Sequence, residues 1–291
     1  MSDQVSRILV TGASGQLGKL VIDALLAKAP ASRISALVRR KDAGDALAAR
    51  GVDVRLGDYT DVAALEKAFA GVDRLLLISS SEVGQRAPQH RNAIDAAKRA
   101  GIELVVYTSI LYADSSVIGL ADEHRDTEAY LRASGVPFVI LRNGWYTENY
   151  ATAVQNALAH GVHLTAAGEG RVNSAARKDY AEAAAAVLLQ DSVQSGRIYE
   201  LAGDDSFSQD ELAAEVAQIS GKPVETKHLS LDEYEGALGQ AGLPPQFAAM
   251  YANFDKGTAA GALADEGRAL STLIGRPTTS WKETVAELAK G

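Results

Sequence analysis

The sequence predicts an α/β fold: a doubly wound parallel sheet followed by a smaller C-terminal α/β substrate domain. Three observations carry this. Short apolar runs alternate with helix-patterned segments at a steady beat through the first half of the chain. Those runs are continuously apolar, which marks strands covered by helices on both faces. The first run ends in TGASGQLG, a glycine-rich turn into a helix. Strand–helix–strand repetition at this spacing requires right-handed crossovers and hence a parallel sheet.

Residues 7–11 (RILVT) form the first strand and 17–28 the first helix, with Leu17, Leu20, Val21, Ala24 and Leu25 on one face. Residues 34–38 (ISALV) and 52–56 (VDVRL) are strands, each followed by a helix, over 42–50 and 61–69. Residues 74–78 (RLLLI) and 103–108 (ELVVYT) are strands on either side of a helix over 88–100. A helix over 122–134 leads into the strand 137–142 (PFVILR). The second half is less regular. Residues 146–160 and 178–190 are helical, and 197–201 (RIYEL) is a strand. A helix over 208–221 starts with Ser208 and Glu211 at capping-box spacing. A strand over 224–229 and helices over 243–255 and 278–290 follow, with 163–170 and 202–206 as loops. The expected division is a nucleotide-binding domain over 1–145, to which 171–202 adds a helix and a strand. Residues 146–291 form the smaller domain packed on it, since no Pro/Gly/Ser-rich linker separates the two.

The chain has 291 residues, enough for two domains. A composition 47% hydrophobic and 23% charged excludes a disordered chain. A net charge of −8 makes direct binding to nucleic acid or anionic membrane unfavourable. The absence of cysteine excludes disulfides, thiolate metal sites, iron–sulfur clusters and a cysteine nucleophile. Histidines and carboxylates do not cluster at metal-ligand spacing, so no metal is expected. No apolar run reaches the roughly 20 residues of a membrane span, and no secretory signal precedes the first strand. The expectation is a cytoplasmic protein.

The strongest chemical signal is Gly12-x-x-Gly15-x-x-Gly18, between the first strand and the first helix. The first glycine permits the sharp turn, the second lets a pyrophosphate approach the backbone, and the third lets helix and strand pack closely. Helix N-terminal amides then stabilise the phosphates. The fold is therefore of the Rossmann type. NAD-binding members of that fold place an acidic residue about 20 residues on, against the ribose hydroxyl. Here Arg39-Arg40-Lys41 stand at that place, so Arg39 is expected to pair with the 2′-phosphate of NADP, with NADPH preferred. Asp58, after the third strand, either bonds the adenine amino group or caps the next helix. Ser79, Ser80 and Ser81 follow the fourth strand at the sheet edge where ligands lie.

TGASGQLG, VRR, GDYTD, LLLISSSEVGQRAPQHRNAIDAAKRAG, YTSILYAD, LADEHRDTE, LRNGWYTENY and LIGRPTT together resemble the NmrA-like group of atypical short-chain dehydrogenases over essentially the whole chain. The resemblance implies a Rossmann domain, a C-terminal substrate domain, bound NADP and reduction of quinones. The cofactor-binding set is then Gly12, Ala13, Ser14, Gly15, Gln16, Leu17, Gly18, Arg39, Asp58, Ser79, Ser80, Ser81, Gln85, Thr108, Asn143, Gly144, Trp145 and Tyr146. His124, Asn143 and Tyr107 are the candidate catalytic residues.

No tyrosine from Tyr59 to Tyr251 has lysine four residues later. Alcohol dehydrogenation and epimerisation need a base of that kind, so both are disfavoured. Many NmrA-like relatives carry lysine where this chain has His124. With an ordinary pKa near neutrality, His124 can donate a proton, or it caps and packs at the start of its helix. The other histidines, His90 among them, carry no distinguishing signal. Quinone reduction asks little of the protein, because the electron-poor ring accepts a hydride readily and solvent can protonate the phenolate product. The expected site is a cleft between the two domains, where Asn143 and Gly144 approach the reacting rings and Trp145 and Tyr146 either stack on them or pack at the junction. Two other readings remain: a non-catalytic NADP-binding redox sensor, and a reductase of another conjugated acceptor such as a triarylmethane dye. The partner is a small-molecule quinone, and a homodimer is compatible with the sequence.

Overall fold

The computed structural model describes residues 6–192 and 195–291. The chain runs β1 (Ile8–Val10), α1 (Gln16–Leu26), β2 (Ile34–Val38), α2 (Asp45–Ala48), β3 (Asp53–Leu56), α3 (Val62–Phe69), β4 (Arg74–Leu77), α4 (Arg86–Ala100), β5 (Leu104–Ile110), α5 (Ala121–Ser134) and β6 (Phe138–Asn143). It continues with α6 (Ala151–His160), β7 (Val162–Thr165), β8 (Arg171–Val172), α7 (Arg177–Leu188), β9 (Arg197–Leu201), β10 (Phe207–Ser208) and α8 (Gln209–Ser220). The last elements are β11 (Glu225–His228), α9 (Leu231–Gln240), α10 (Pro245–Ala259), α11 (Ala269–Ile274) and α12 (Trp281–Leu288).

Seven strands form one sheet in the order β3-β2-β1-β4-β5-β6-β9. The registers of β1 to β6 are all parallel. The order reverses between β1 and β4, which opens a crevice at their carboxyl ends. Strands β1, β2, β4 and β5 are buried along their whole length, whereas edge strand β3 is not. That is why the central strands need uninterrupted apolar runs and the edge tolerates Asp53 and Arg55.

Contact clustering divides the chain into two units. The first holds Met1–Ala113, Asp122–Asn143 and Lys178–Tyr199. Its core joins Leu9, Leu75 and Val105 of the sheet to Leu65 and Phe69 of α3, Ile94 of α4 and Leu131 of α5. One buried ion pair fixes α5 on β5 and β6. Glu128 accepts from Arg142 Nε at 2.9 Å and Nη2 at 2.6 Å, and from Ser109 Oγ at 2.6 Å. A fully buried carboxylate is tolerated only with such bidentate pairing.

The second unit holds Asp114–Ala121, Gly144–Arg177 and Glu200–Gly291. Within it β7 pairs in parallel with β11, and β8 pairs antiparallel with β10. The Phe207 ring lies 4.4 Å from Trp281 and 5.5 Å from Tyr150, centroid to centroid. The capping box expected at Ser208 and Glu211 forms, and a second forms at Ser230 and Glu233. The structure corrects the loop expected over 163–170, because β7 takes its first residues. A four-residue strand whose partner lies 63 positions on has no local signature. The helices α9 and α11 and the two-residue strands β8 and β10 also lie outside the elements expected from sequence.

Candidate functional site

At the carboxyl ends of β1, β2 and β4 a cavity of about 240 Å³ is lined by the glycine loop, Leu37 to Arg39, Gly57 to Tyr59 and Ile78 to Glu82, with Gln89. The loop has the geometry its spacing requires. Gly12 has φ +58°, in the region that favours glycine. A Cβ on Gly18 would stand 2.3 Å from Gly12 O and 2.7 Å from Ala13 Cα, so helix and turn touch backbone to backbone. The N-cap of α1 is Gly15, which has no side chain to fold back over the first amides. An anion is their natural partner. The residues present therefore fit a dinucleotide diphosphate.

Arg39 reaches this cavity, at the position where an NAD-binding chain has a carboxylate. Its Nη1 donates to Glu82 Oε1 at 3.0 Å, and Glu82 Oε2 accepts from Gln89 Nε2 at 2.7 Å. Glu82 thus holds the guanidinium as a local counter-ion on the cavity wall. Asp58 also lines the cavity, and its Oδ1 accepts from Thr60 N at 2.8 Å and Thr60 Oγ1 at 2.6 Å. The Thr60 bonds hold its carboxyl below the usual carboxylate range. The cap of α3 is Asp61, which accepts from Ala64 N at 3.0 Å.

The serine loop is held by side chains from its neighbours. Ser79 N donates to Thr108 Oγ1 at 2.9 Å. Both backbone groups of Ser80 are taken by α4: its N–H donates to His90 Nε2 at 2.9 Å, and its carbonyl accepts from Arg86 Nε at 2.7 Å. Because Nε2 accepts, a neutral His90 carries its proton on Nδ1 and donates to Thr127 Oγ1 at 2.9 Å. Thr127 passes the chain on to Glu123 O at 2.8 Å. His90 has no exposed surface, and burial with the nearby Arg86 charge lowers its pKa to about 3. The sequence offered no sign of this role, since the clamp joins a loop to a helix turn whose meeting only the fold produces. Tyr59, likewise unassigned from sequence, sets its hydroxyl 2.5 Å from Thr11 Oγ1 and 2.8 Å from Ile78 O.

Gly12, Ser14, Gly15, Gln16, Leu17, Gly18, Arg39, Asp58 and Ser79 to Ser81 all line the cavity. Ala13 is buried beneath the turn, Thr108 is spent on the serine loop, and Gln85 serves as N-cap of α4. Leu37, Val38, Gly57, Ile78, Glu82 and Gln89 complete the wall.

Of the candidate catalytic residues, Tyr107 and His124 meet: Tyr107 Oη lies 2.7 Å from His124 Nδ1. Burial raises the Tyr107 pKa, so the phenol keeps its proton. The expectation of a near-neutral His124 is corrected. Burial, then Arg86 and His90, lower its pKa to about 3, so at neutral pH it is a neutral imidazole and no imidazolium acid. Asn143 ends β6 opposite Ile110 and is almost fully buried.

Gly144, Trp145 and Tyr146 belong to the second unit. Gly144 N donates to Leu201 O at 2.7 Å. Tyr146 forms a parallel bridge with Ala175 and lies under the Arg177 guanidinium at 4.7 Å. Trp145 packs edge-on against Phe254 at 4.7 Å. It also lines a second cavity, of about 880 Å³, formed entirely within this unit.

The sequence profile of the NmrA-like family matches residues 4–280. The chain belongs to the NmrA-like family. Quinone oxidoreductase 2 of Escherichia coli K12 is 52% identical to this NmrA-like chain over 281 residues, 97% of this chain and 98% of that protein. The crystal structure of an NADPH-dependent quinone oxidoreductase from Escherichia coli, complexed with NADPH, superimposes with a TM-score of 0.94 at 52% identity, covering 97% and 99% of the two chains. The Citrobacter sp. triphenylmethane reductase complexed with NADP(H) superimposes with a TM-score of 0.92 at 38% identity, over 97% and 99%. Among the described residues no helix of this NmrA-like protein is long and apolar enough to cross a membrane, and no group of three or more His, Asp or Glu could hold a metal ion.

Proposed function

We propose that this chain is an NADPH-dependent quinone reductase working by direct hydride transfer. The observation that carries the reading is a dinucleotide cradle that has Arg39 on its wall in place of an acidic residue. The chain carrying it is 52% identical to a quinone oxidoreductase. When bound, NADPH supplies the hydride. Gly12 to Gly18 and the first amides of α1 would hold its diphosphate, and Arg39, released from Glu82, its 2′-phosphate. The serine loop, clamped by His90, Arg86 and Thr108, would present a fixed backbone wall.

No residue needs to act as a strong acid. Once the ring has taken up a hydride, its oxygen is a phenolate, comparable to tyrosinate with a pKa of about 10. Solvent protonates such a group at neutral pH. This matches a chain that lacks Tyr-x-x-x-Lys and keeps His124 neutral. In this reading Tyr107 orients His124, whose neutral ring offers a hydrogen bond without changing charge. Asn143 is assigned to orienting the reacting rings. Binding and orientation then supply the catalysis.

Steady-state oxidation of NADPH with 1,4-benzoquinone tests the proposal, and quinone-dependent turnover is the expected result. A protein that binds NADPH without such turnover is the redox sensor. A specificity constant higher for a triarylmethane dye than for any quinone assigns the other acceptor class.

A further inference from the structure

The cavity of about 880 Å³ in the second unit is much the larger of the two and shares no lining residue with the nucleotide cavity. Its walls come from α6, from β7 and from α9 and α10. Helix α9 is unusual: none of its residues is buried. Yet Tyr234, Ala237 and Leu238, with Ala241 just beyond, follow the i, i+3, i+4, i+7 spacing of an apolar helix face, and all four line the cavity. This stripe faces an open volume where a core would normally stand. Across the space stand Val162 and Leu164 of β7 and Trp145. Phe247, from the first turn of α10, is 47% exposed on the same wall.

Several of the polar groups on the wall are engaged within the unit. Gln209 binds the Tyr150 hydroxyl at 3.1 Å and His163 Nε2 at 3.0 Å. Asp255 Oδ2 accepts from Thr165 Oγ1 at 2.8 Å and Ala166 N at 2.6 Å. An occupant meets mostly apolar side chains, with Thr152, Asn156 and His160 among the polar groups on the wall. The volume lies toward the upper end of the roughly 300–1,000 Å³ that drug-sized ligands fill. A bare benzoquinone ring would leave most of it empty.

We propose that this cavity takes the aliphatic side chain of a substituted quinone, so that the preferred acceptors are lipophilic alkyl- or prenyl-quinones. The inference rests on the quinone reductase reading and refines its substrate class. The α9–α10 pair is then a specificity wall: its apolar stripe is completed by substrate, and the open volume sets the length of chain that can be buried.

The test is a series of 2-alkyl-1,4-benzoquinones, from methyl through pentyl to decyl, assayed for kcat/KM with the full-length protein. Each methylene buried raises affinity by up to about fourfold, so KM is expected to fall at least about tenfold from methyl to pentyl. Ala237→Phe, which fills the space from α9, is expected to flatten that slope. Leu238→Asn, which makes the stripe polar without adding bulk, is expected to reduce it. Turnover with every quinone but no dependence on chain length in the unaltered protein overturns the inference and leaves the quinone reading standing. A slope unchanged in both variants also overturns it. Absence of turnover with all members overturns the quinone reading itself.

Discussion

The nucleotide cavity at the end of β1 is walled largely by backbone and by small side chains, whereas the cavity of the second unit is walled by whole aliphatic and aromatic side chains. In the first, the ligand-facing surface is a turn whose three glycines touch backbone to backbone. In the second, the surface is made of faces of α6, α9 and α10 and of strand β7. A site made of backbone constrains residue type at fixed spacing, and so it is legible in a sequence. A site made of apolar side chains accepts many residues at each position, and so it is not.

Gly18 offers the sharpest way to break the contrast. In Gly18→Val the added carbons would overlap Gly12 O and Ala13 Cα, which are backbone atoms that cannot rotate away. Overpacking costs about 1–3 kcal/mol, so the melting temperature should fall by several degrees. Titration calorimetry should record no NADPH binding. Retained binding would mean the turn does not set the cradle.

Arg39→Ala comes next. It should weaken NADPH about 10- to 100-fold, the scale of a hydrogen bond to a charged group at about 1.5–3 kcal/mol. NADH should be little affected, because it lacks the 2′-phosphate. Equal losses for both nucleotides would remove Arg39 from the specificity role.

His90 tests whether the serine loop needs its clamp. His90→Leu leaves the buried Ser80 N–H without an acceptor, at about 1–3 kcal/mol. The Kd for NADPH should rise by roughly tenfold, and His90→Gln, which restores an acceptor oxygen, should recover most of the loss. Equal behaviour of the two variants would mean that His90 acts by packing alone.

The smallest effect is on pH dependence. His90 and His124 both have pKa values lowered to about 3, below the 6.5 of an unfolded histidine. Between these values the unfolded chain binds more protons than the folded one. Stability contributed by the neutral rings is therefore present above about 6.5 and lost as pH falls toward 3. Denaturant unfolding across that range should show a positive slope of stability with pH, shallower in His90→Gln. For the same reason kcat should show no inflection near 6.5 arising from His124.

Several features were open to reading without coordinates. The continuous apolar strands, the glycine turn, Arg39 and the missing Tyr-x-x-x-Lys are all local patterns. The capping-box spacing at Ser208 and Glu211 is equally local, and the same spacing at Ser230 and Glu233 marks the start of α9. Its two interior glycines, Gly236 and Gly239, weaken the helix pattern there. The clamp on Ser80 was not legible, because a helix residue and a loop residue ten positions apart meet only through the turn that α4 makes against β4. Nor was the charge state of His124. The residue type indicates a group that titrates near neutrality, and burial beside Arg86 decides otherwise.

By itself, then, the sequence determined the order of strands and helices from β1 to β6, the dinucleotide turn and the cation beside it, since each rests on residues near one another in the chain. Tertiary structure alone decided which histidine clamps the serine loop, that both buried imidazoles stay uncharged, and that a helix without buried residues faces an open apolar cavity. These depend on burial and on distances between segments remote in sequence, and no spacing along the chain encodes either.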